Sequence, residues 1–543
     1  MRIMKKINKF LYTILIGSML FVFAGCSEWL DINTDPNNPT DVPLNQLMVS
    51  AQLNTAGAVG ISTGGFSNYC ALYTHHLVQR GNSQNDYAFN GNDFGVATPW
   101  GLIYPWALTD LKRMIEKGIE TESWHYVGIG QILQAYLFSV LVDIYGDVPF
   151  FDANKGSEVP YPAYDNDEAI YTEVFNLLDE GISNLAKSSS LSPLNDDIFY
   201  GGGPLAIPKW RKFAKTLKLK LYNQTRLVWD NSTEVNALLT GGDLIDEGED
   251  FEFQYGVNIA PDNRNPAYTQ EYTPGGAYNN ISPYFYEILN GINTFFPENI
   301  YLGISDPRVP YYFYNQLAPG QPAENPTAYR NGDFVSIYMF SYNIDPNEGF
   351  DQSSSQTLVG LYPVGGRYDF GTGGPANFNG VGDVPQRILT YFQRKYIEAE
   401  LALTGVSSGN AREAFVEAMN ASFDKVNVVA ANAGVPLLLQ AEIDSYMNSV
   451  LALYDAADNE GKLENILTQK WIASFGYSVD VYNDYRRTGY PILHDGNTDD
   501  LDVTVRTREY ALSFPWVTTN LDVNPNAPSQ KTVNSYRIFW DAN

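Results

Sequence analysis

The chain has 543 residues, 44% hydrophobic and 18% charged, enough apolar material for a large core, which excludes global disorder. Its 62 Asp and Glu against 34 Lys and Arg give a formal net charge of -28, which repels phosphate backbones and anionic lipid surfaces and argues against nucleic-acid binding. Four His and two Cys are too few for a Cys/His zinc cluster, and no H-E-x-x-H occurs.

At about 150 residues per domain the length allows three or four domains, or one large helical array. The N-terminus reads as an address. Arg2, Lys5, Lys6 and Lys9 precede an apolar run from Phe10 to Phe23, then Ala24-Gly25-Cys26. A basic start, a short apolar stretch and small residues make a secretory signal. Ending on Cys26, it resembles the lipobox of bacterial lipoproteins, with Phe23 where that pattern usually has Leu. The alternative is an ordinary signal peptide cut near Ala24. On the lipobox reading residues 1–25 are removed and Cys26 carries the lipid. Glu28, close behind it, resembles the surface-export signal of Bacteroidota lipoproteins. Residues 26–40 then form a turn-rich tether. The Asp and Asn oxygens between Asp31 and Thr40 suit calcium chemically, but their spacing does not match an EF-hand loop, so no metal or other cofactor is expected. Cys70 is left as a lone thiol, expected to be a small buried apolar residue.

From Tyr126 the apolar residues Ile129, Leu133, Tyr136, Leu137, Val140, Leu141 and Ile144 recur at steps of three and four, which predicts a helix ended by Asp147-Val-Pro149. A second helix, capped within Asp165–Asp167, carries Ile170, Val174, Leu178, Ile182 and Leu185. A third runs from about Lys209 to Trp229, just after Pro208. Four more are predicted near 386–404, 410–427, 439–455 and 462–476. Their stripes are core packing. Between about 230 and 385 the periodicity fails, and Pro, Gly, Asn and Tyr predict long loops with short strands on a helical frame. Helix pairs at intervals suggest a tetratricopeptide-type array, although no tandem 34-residue period is present.

These landmarks resemble the SusD/RagB family of nutrient-binding lipoproteins. The resemblance is carried by Leu141-Val-Asp-Ile-Tyr-Gly-Asp-Val-Pro-Phe150, Pro162-Ala-Tyr-Asp165 with Ile170-Tyr171, the Lys209–Leu219 segment, Asp306-Pro-Arg308, Thr390-Tyr391, Glu398-Ala-Glu400 and Gly405. Ile466-Leu-Thr-Gln-Lys-Trp471 followed by Asp484-Tyr-Arg-Arg-Thr-Gly-Tyr-Pro491 is its most specific part. Lys215, where many members have Asn, and the Arg506/Arg508 segment depart from the pattern. The resemblance implies a mainly α fold, a tetratricopeptide-like helix-pair scaffold (an α-α superhelix with four divergent pairs) whose long loop-rich insertions carry the ligand site. It implies one such domain over 41–543, with an irregular insertion at about 230–385. It also implies a SusC-like TonB-dependent outer-membrane barrel as partner and an oligosaccharide or, in some relatives, a peptide as cargo. The protein is then expected at the outer membrane, lipid-anchored and surface-exposed.

Catalysis is not expected. Asp143 and Asp147 flank a helix stop, and Gly60-Ile-Ser62-Thr-Gly64 fits G-x-S-x-G without a convincing strand before it. Gln469, Trp471, Asp484, Arg486 and Arg487 read as packing and ion pairing rather than as a ligand set. Sugar binding asks for aromatic faces to stack on C–H faces and planar groups for the hydroxyls. Two segments offer this outside the helical stripes. The first is Gln79-Arg80-Gly-Asn-Ser-Gln-Asn85-Asp86-Tyr87, continuing to Phe94 and Trp100. The second is 255–287, with Asn263, Arg264, Tyr268, Tyr278, Tyr284 and Tyr286. Arg367-Tyr368-Asp-Phe370 is a third candidate. The expected ligand-binding residues are Arg80, Asn85, Asp86, Tyr87, Trp100, Tyr278, Tyr284 and Tyr368. The rival readings are an exported glycosidase or esterase, and a helical-repeat protein that only gates the barrel.

Overall fold

The computed structural model describes residues 41–79, 96–273, 276–296, 299–324, 327, 329–338, 353–374, 380–493 and 510–543. Cys26 with its leader and tether, the site candidates Arg80, Asn85, Asp86 and Tyr87, and Phe94, His494, Arg506 and Arg508 lie outside the described residues.

Helices α1 (Leu44–Val59) and α2 (Phe66–Tyr73) lead into strand β1 (Leu77–Gln79). After Val96 come α3 (Ala97–Leu102), a π turn over Ile103–Leu108, α4 (Thr109–Glu120), α5 (Trp124–Tyr145), α6 (Asp167–Leu185), α7 (Ala206–Thr225) and α8 (Ser232–Gly241). The irregular stretch follows. It holds β2 (Phe251–Phe253), α9 (Pro266–Tyr272), β3 (Asn279–Ile281), α10 (Pro283–Asn290), β4 (Phe313–Tyr314), β5 (Tyr329–Asn331), β6 (Phe334–Ser336) and β7 (Leu358–Val359). β8 (Gln386–Leu389) closes it, and the helices resume with α11 (Tyr391–Leu403), α12 (Ala411–Ala433), α13 (Gln440–Ala456), α14 (Asn459–Ala473), α15 (Val479–Thr488) and α16 (Thr518–Val523). The strands form two-stranded antiparallel ribbons, β1–β3, β2–β8, β4–β7 and β5–β6.

The helices pack as neighbouring pairs: α4 on α5, α5 on α6, α11 on α12 and α13 on α14, with α7 bridging α6 and α11. This is the mainly α, tetratricopeptide-like frame that the family resemblance implied. One apolar cluster runs through it from Leu44 to Trp540.

α5 is more deeply placed than a one-face stripe implies. From Tyr126 to Tyr145 every residue but Gln134 is buried. Among the described residues it is the helix long and apolar enough to cross a bilayer, yet 94% of that window is inside the protein, so it serves as the core helix. Glycines let its neighbours close in. A Cβ on Gly128 would meet the Gly181 carbonyl oxygen of α6 at 2.8 Å, and one on Gly130 would meet Ile115 of α4 at 2.8 Å.

Two helix boundaries differ from the predicted ones for local reasons. The helix expected from 386 starts at Tyr391, because Gln386–Leu389 pairs with β2 and Thr390 then forms a capping box with Gln393. The helix expected from Lys209 to Trp229 spans Ala206–Thr225, with Pro208 accommodated in its first turn, where no intrahelical N–H is needed.

Buried polar groups join the two halves of the frame. Glu400 of α11 and Arg487 of α15 are both fully buried and ion-paired, with Arg487 Nη2 at 2.9 Å from Oε2. Arg226, just past α7, reaches the same carboxylate at 2.8 Å, and Asn223 donates to it at 2.7 Å. Asp484 pairs with Arg487 at 2.9 Å and with Lys470 at 2.7 Å. Burial would raise the Glu400 pKa, but Arg487 and Arg226 outweigh it and hold the carboxyl well below its ordinary range. Asp143 of α5 accepts from Tyr171 at 2.5 Å, Trp540 at 3.0 Å and Asn483 at 2.7 Å. Burial pushes its pKa up to about 6, against the pull of Lys220. His76 bonds the Trp471 carbonyl at 3.0 Å and Ser478 at 3.1 Å, and burial pushes it down to about 3. Cys70 is buried and burial raises its thiol pKa.

Removing one partner of a buried pair leaves the other charge stranded, so Arg487→Met is expected to destabilise the fold by about 3–5 kcal/mol, read from urea unfolding. The pH profile follows from the signs. His76 contributes stability above its ordinary 6.5 that is lost as pH falls toward 3, whereas Asp143 gains stability as pH falls through 6 toward 3.8. Unfolding midpoints are expected to change little between pH 6.5 and 4. They should then drop below pH 4, where the Asp143 gain has ended while the last of the His76 contribution and that of Glu400 are lost.

Candidate functional site

The described candidates fall in three separate places. The first is the β1–β3 ribbon. Gln79 pairs with Asn279, so the start of the first aromatic-polar segment lies beside the second, next to Tyr278. β3 is held from several sides. Asn279 donates to Glu271 at 3.0 Å and its carbonyl accepts from Gln356 at 2.8 Å, while Ser336 Oγ donates to the Ile281 carbonyl at 2.6 Å. On this fixed base Ala277 takes a left-handed φ of 64°, and the Tyr278 that follows is 51% exposed. It is an aromatic face on a rigid mount, the arrangement stacking on a sugar ring needs.

The second place is a cleft of about 470 Å³ floored by Trp100 and Tyr104. The π turn over Ile103–Leu108 makes its wall. Ile103, Ala107 and Leu108 go to the core while Pro105 and Trp106 stay exposed. The Tyr104 carbonyl inside that turn accepts from Asn154 at 2.6 Å and Thr109 at 3.2 Å. Trp100 is 7% exposed and packs on Tyr104 at 4.4 Å, Tyr145 at 5.2 Å and Tyr164 at 6.4 Å between ring centres. Pro149, Pro160, Pro162 and α16 close the other sides. Tyr104 donates to the Pro149 carbonyl at 2.7 Å and Tyr164 to Asn520 Oδ1 at 2.7 Å. Burial raises both phenol pKa values, so they remain protonated donors at neutral pH. Among the described residues no lining side chain is charged, which suits a neutral ligand presenting C–H faces and hydroxyls rather than phosphate.

The third place is Tyr368, half-buried and edge-on to Tyr311 and Phe370 at 4.8 Å each. Tyr311 in turn donates to the Pro436 carbonyl at 2.6 Å, which ties this cluster to the turn between α12 and α13.

Tyr284 does not sit where a ligand-binding role requires. It is 1% exposed, donates to the Ile492 carbonyl and packs against Phe296 and Trp471, so its ring belongs to the core. Tyr286 stacks on Phe334 at 3.8 Å. Arg264 is spent on Asp262 at 2.7 Å, and that pairing lowers the Asp262 pKa to about 2. Trp471 donates to the Thr74 carbonyl at 2.9 Å, and Gln469, Asp484, Arg486 and Arg487 are buried with it, which makes this motif structural as read. Ser62 of the G-x-S-x-G segment lies in a turn after helix α1, and His75 and His76 are buried in the core. Among the described residues no three His, Cys, Asp or Glu side chains gather as a metal site. The cleft residues Tyr104, Asn154 and Asn520 carried no sequence signal. Asn520 meets Tyr164 across 356 positions, a pairing no local pattern encodes.

Residues 36–510 match a family model described as SusD-like, starch-binding and associating with the outer membrane. Comparison with curated proteins returned no match. Among solved structures, a SusD homologue from Parabacteroides distasonis superposes with a TM-score of 0.68 at 19% identity, over 92% of this chain and 97% of that one. A SusD/RagB family protein from Bacteroides thetaiotaomicron gives 0.66 at 20%, over 93% and 100%. A chitin-binding SusD homologue from Flavobacterium johnsoniae gives 0.65 at 17%, over 92% and 99%. At these identities the likeness is one of fold.

Trp100→Ala is expected to cost about 3–5 kcal/mol of stability, because it empties a packed aromatic floor. Tyr278→Ala should stay within about 0.5 kcal/mol of the parent. Paired thermal melts check the contrast, and make Tyr278 the residue at which loss of binding can be read without loss of fold.

Proposed function

The chain belongs to the SusD-like family, and we propose on that basis that it is a surface-exposed outer-membrane lipoprotein that captures oligosaccharide and delivers it to a SusC-like TonB-dependent barrel. The family match over residues 36–510 carries this reading, since its description names both starch binding and association with the outer membrane. A fold neighbour described as chitin-binding supports a glycan as cargo. Cys26 is the proposed lipid-bearing residue.

The proposed recognition residues are Tyr278 and the Trp100 cleft, together with Arg80, Asn85, Asp86 and Tyr87, which lie in the chain between Gln79, the ribbon partner of Asn279, and Trp100. Tyr368 is a third proposed contributor. Stacking on Tyr278 and hydrogen bonds from amide and phenol groups select shape over charge. No bond is made or broken in this role. The protein positions cargo and its partner moves it.

Calorimetry of the chain from Ser27 against starch and chitin oligosaccharides and peptide digests tests the cargo. A saturable heat with one glycan class, weakened about tenfold in Tyr278→Ala, is the expected result. Heat with peptides alone overturns the sugar reading, and new reducing ends overturn the non-enzymatic one. Co-purification of the barrel from detergent extracts tests the delivery half, and its absence from them rejects it.

A further inference from the structure

The Trp100 cleft offers few polar side chains, and its two amides set what it can take. Pro149, Pro160, Pro162, Val517 and Val523 wall it above the Trp100 and Tyr104 floor, and Asn154, Thr519 and Asn520 line it with them. A hydroxyl set against those prolines and valines gives up its water without gaining a partner. A plain glucose unit, with hydroxyls around its ring, therefore suits these walls poorly.

The two amides are each half used, and in opposite senses. Asn154 Nδ2 donates to the Tyr104 carbonyl at 2.6 Å and to Thr109 Oγ1 at 2.9 Å, which fixes the orientation of the amide. Its Oδ1 is left without a partner among the described residues. Asn520 Oδ1 accepts from the Tyr164 hydroxyl at 2.7 Å, and its Nδ2 is left in the same state. Neither of these atoms is shut away from solvent. Trp100 contacts both tyrosine rings, Tyr104 at 4.4 Å and Tyr164 at 6.4 Å between centres, so both amides are anchored to one aromatic floor. One free carbonyl acceptor, one free N–H donor and apolar surface around them complement a secondary amide that carries a methyl group.

We infer that the Trp100 cleft selects sugars bearing an acetamido group. The acetamido N–H donates to Asn154 Oδ1, its carbonyl accepts from Asn520 Nδ2, and its methyl lies on the apolar surface of the cleft. The inference rests on the oligosaccharide reading above and narrows it from glycans in general to N-acetylated ones. The charge of the cleft agrees. An acetamido sugar is neutral, whereas its deacetylated form is an ammonium ion, and among the described residues no carboxylate lines the cleft to meet one.

Calorimetry of the chain from Ser27 with two tetramers of the same β-1,4 linkage, one of N-acetylglucosamine and one of glucose, isolates the acetamido group without any variant. The expected result is binding about tenfold tighter for the N-acetylated tetramer. The variant Asn520→Asp keeps an oxygen for the Tyr164 hydroxyl and removes the free donor, so it should abolish that preference while its thermal melt stays that of the parent. Equal affinities, or a preference for the glucose tetramer, overturn the inference and leave the oligosaccharide reading standing. A preference that survives Asn520→Asp overturns the assignment to this cleft. No heat from either tetramer or from maltotetraose, with or without heat from peptide digests, rejects the oligosaccharide reading itself and this inference with it.

Discussion

A single carboxylate, that of Glu400, is enclosed by two guanidinium groups and shut away from water, and the two halves of the helical frame meet on it. Arg226 comes from the end of α7, Arg487 from α15 and Glu400 itself from α11. Desolvating three charges is expensive, and a well-packed apolar cluster would hold the helices at least as tightly. What the ionic arrangement adds is direction. A carboxylate accepts guanidinium groups along defined lines, so the relative rotation of α7, α11 and α15 is set rather than merely permitted. The loops that carry the candidate site grow from this frame and inherit its rigidity.

That division explains what was legible in the sequence. α5, α6 and α11 to α14 announced themselves through apolar residues at helical spacing, because each packs a continuous stripe against a neighbour. The buried motif from Gln469 to Arg487 was legible as structure, since Trp and Arg close to acidic residues have partners at hand. The site was not. Tyr278 and Tyr284 stand six positions apart in one loop-rich segment, and only the turn from β3 into α10 decides that the first is displayed and the second buried. Trp100 looked like a surface aromatic among polar residues, but the π turn after it swings Trp106 outward instead and leaves Trp100 as floor. Such choices are made by contacts from hundreds of residues away, which no window of sequence contains.

The cleft and the ribbon also differ in how they tolerate change. The cleft is built from packed aromatics whose hydroxyls are committed to backbone and amide partners, so altering it alters the frame. The ribbon fixes its backbone through Asn279, Gln356 and Ser336 and leaves the Tyr278 side chain about half exposed. Ligand preference can therefore shift by exchanging side chains on the ribbon while α5 and its neighbours stay as they are.

The bond between Asp143 and Trp540 closes across 397 positions. Asp143 lies in the last turn of the core helix, and its carboxylate waits for Asn483 and Trp540 before its lone pairs are satisfied. A chain emerging N-terminus first, whether from a ribosome or through a translocation pore, exposes that half-solvated helix for most of its passage. The last two partners of Asp143 are thus among the final residues to emerge, and its full set of hydrogen bonds can form only once nearly all of the chain has come through.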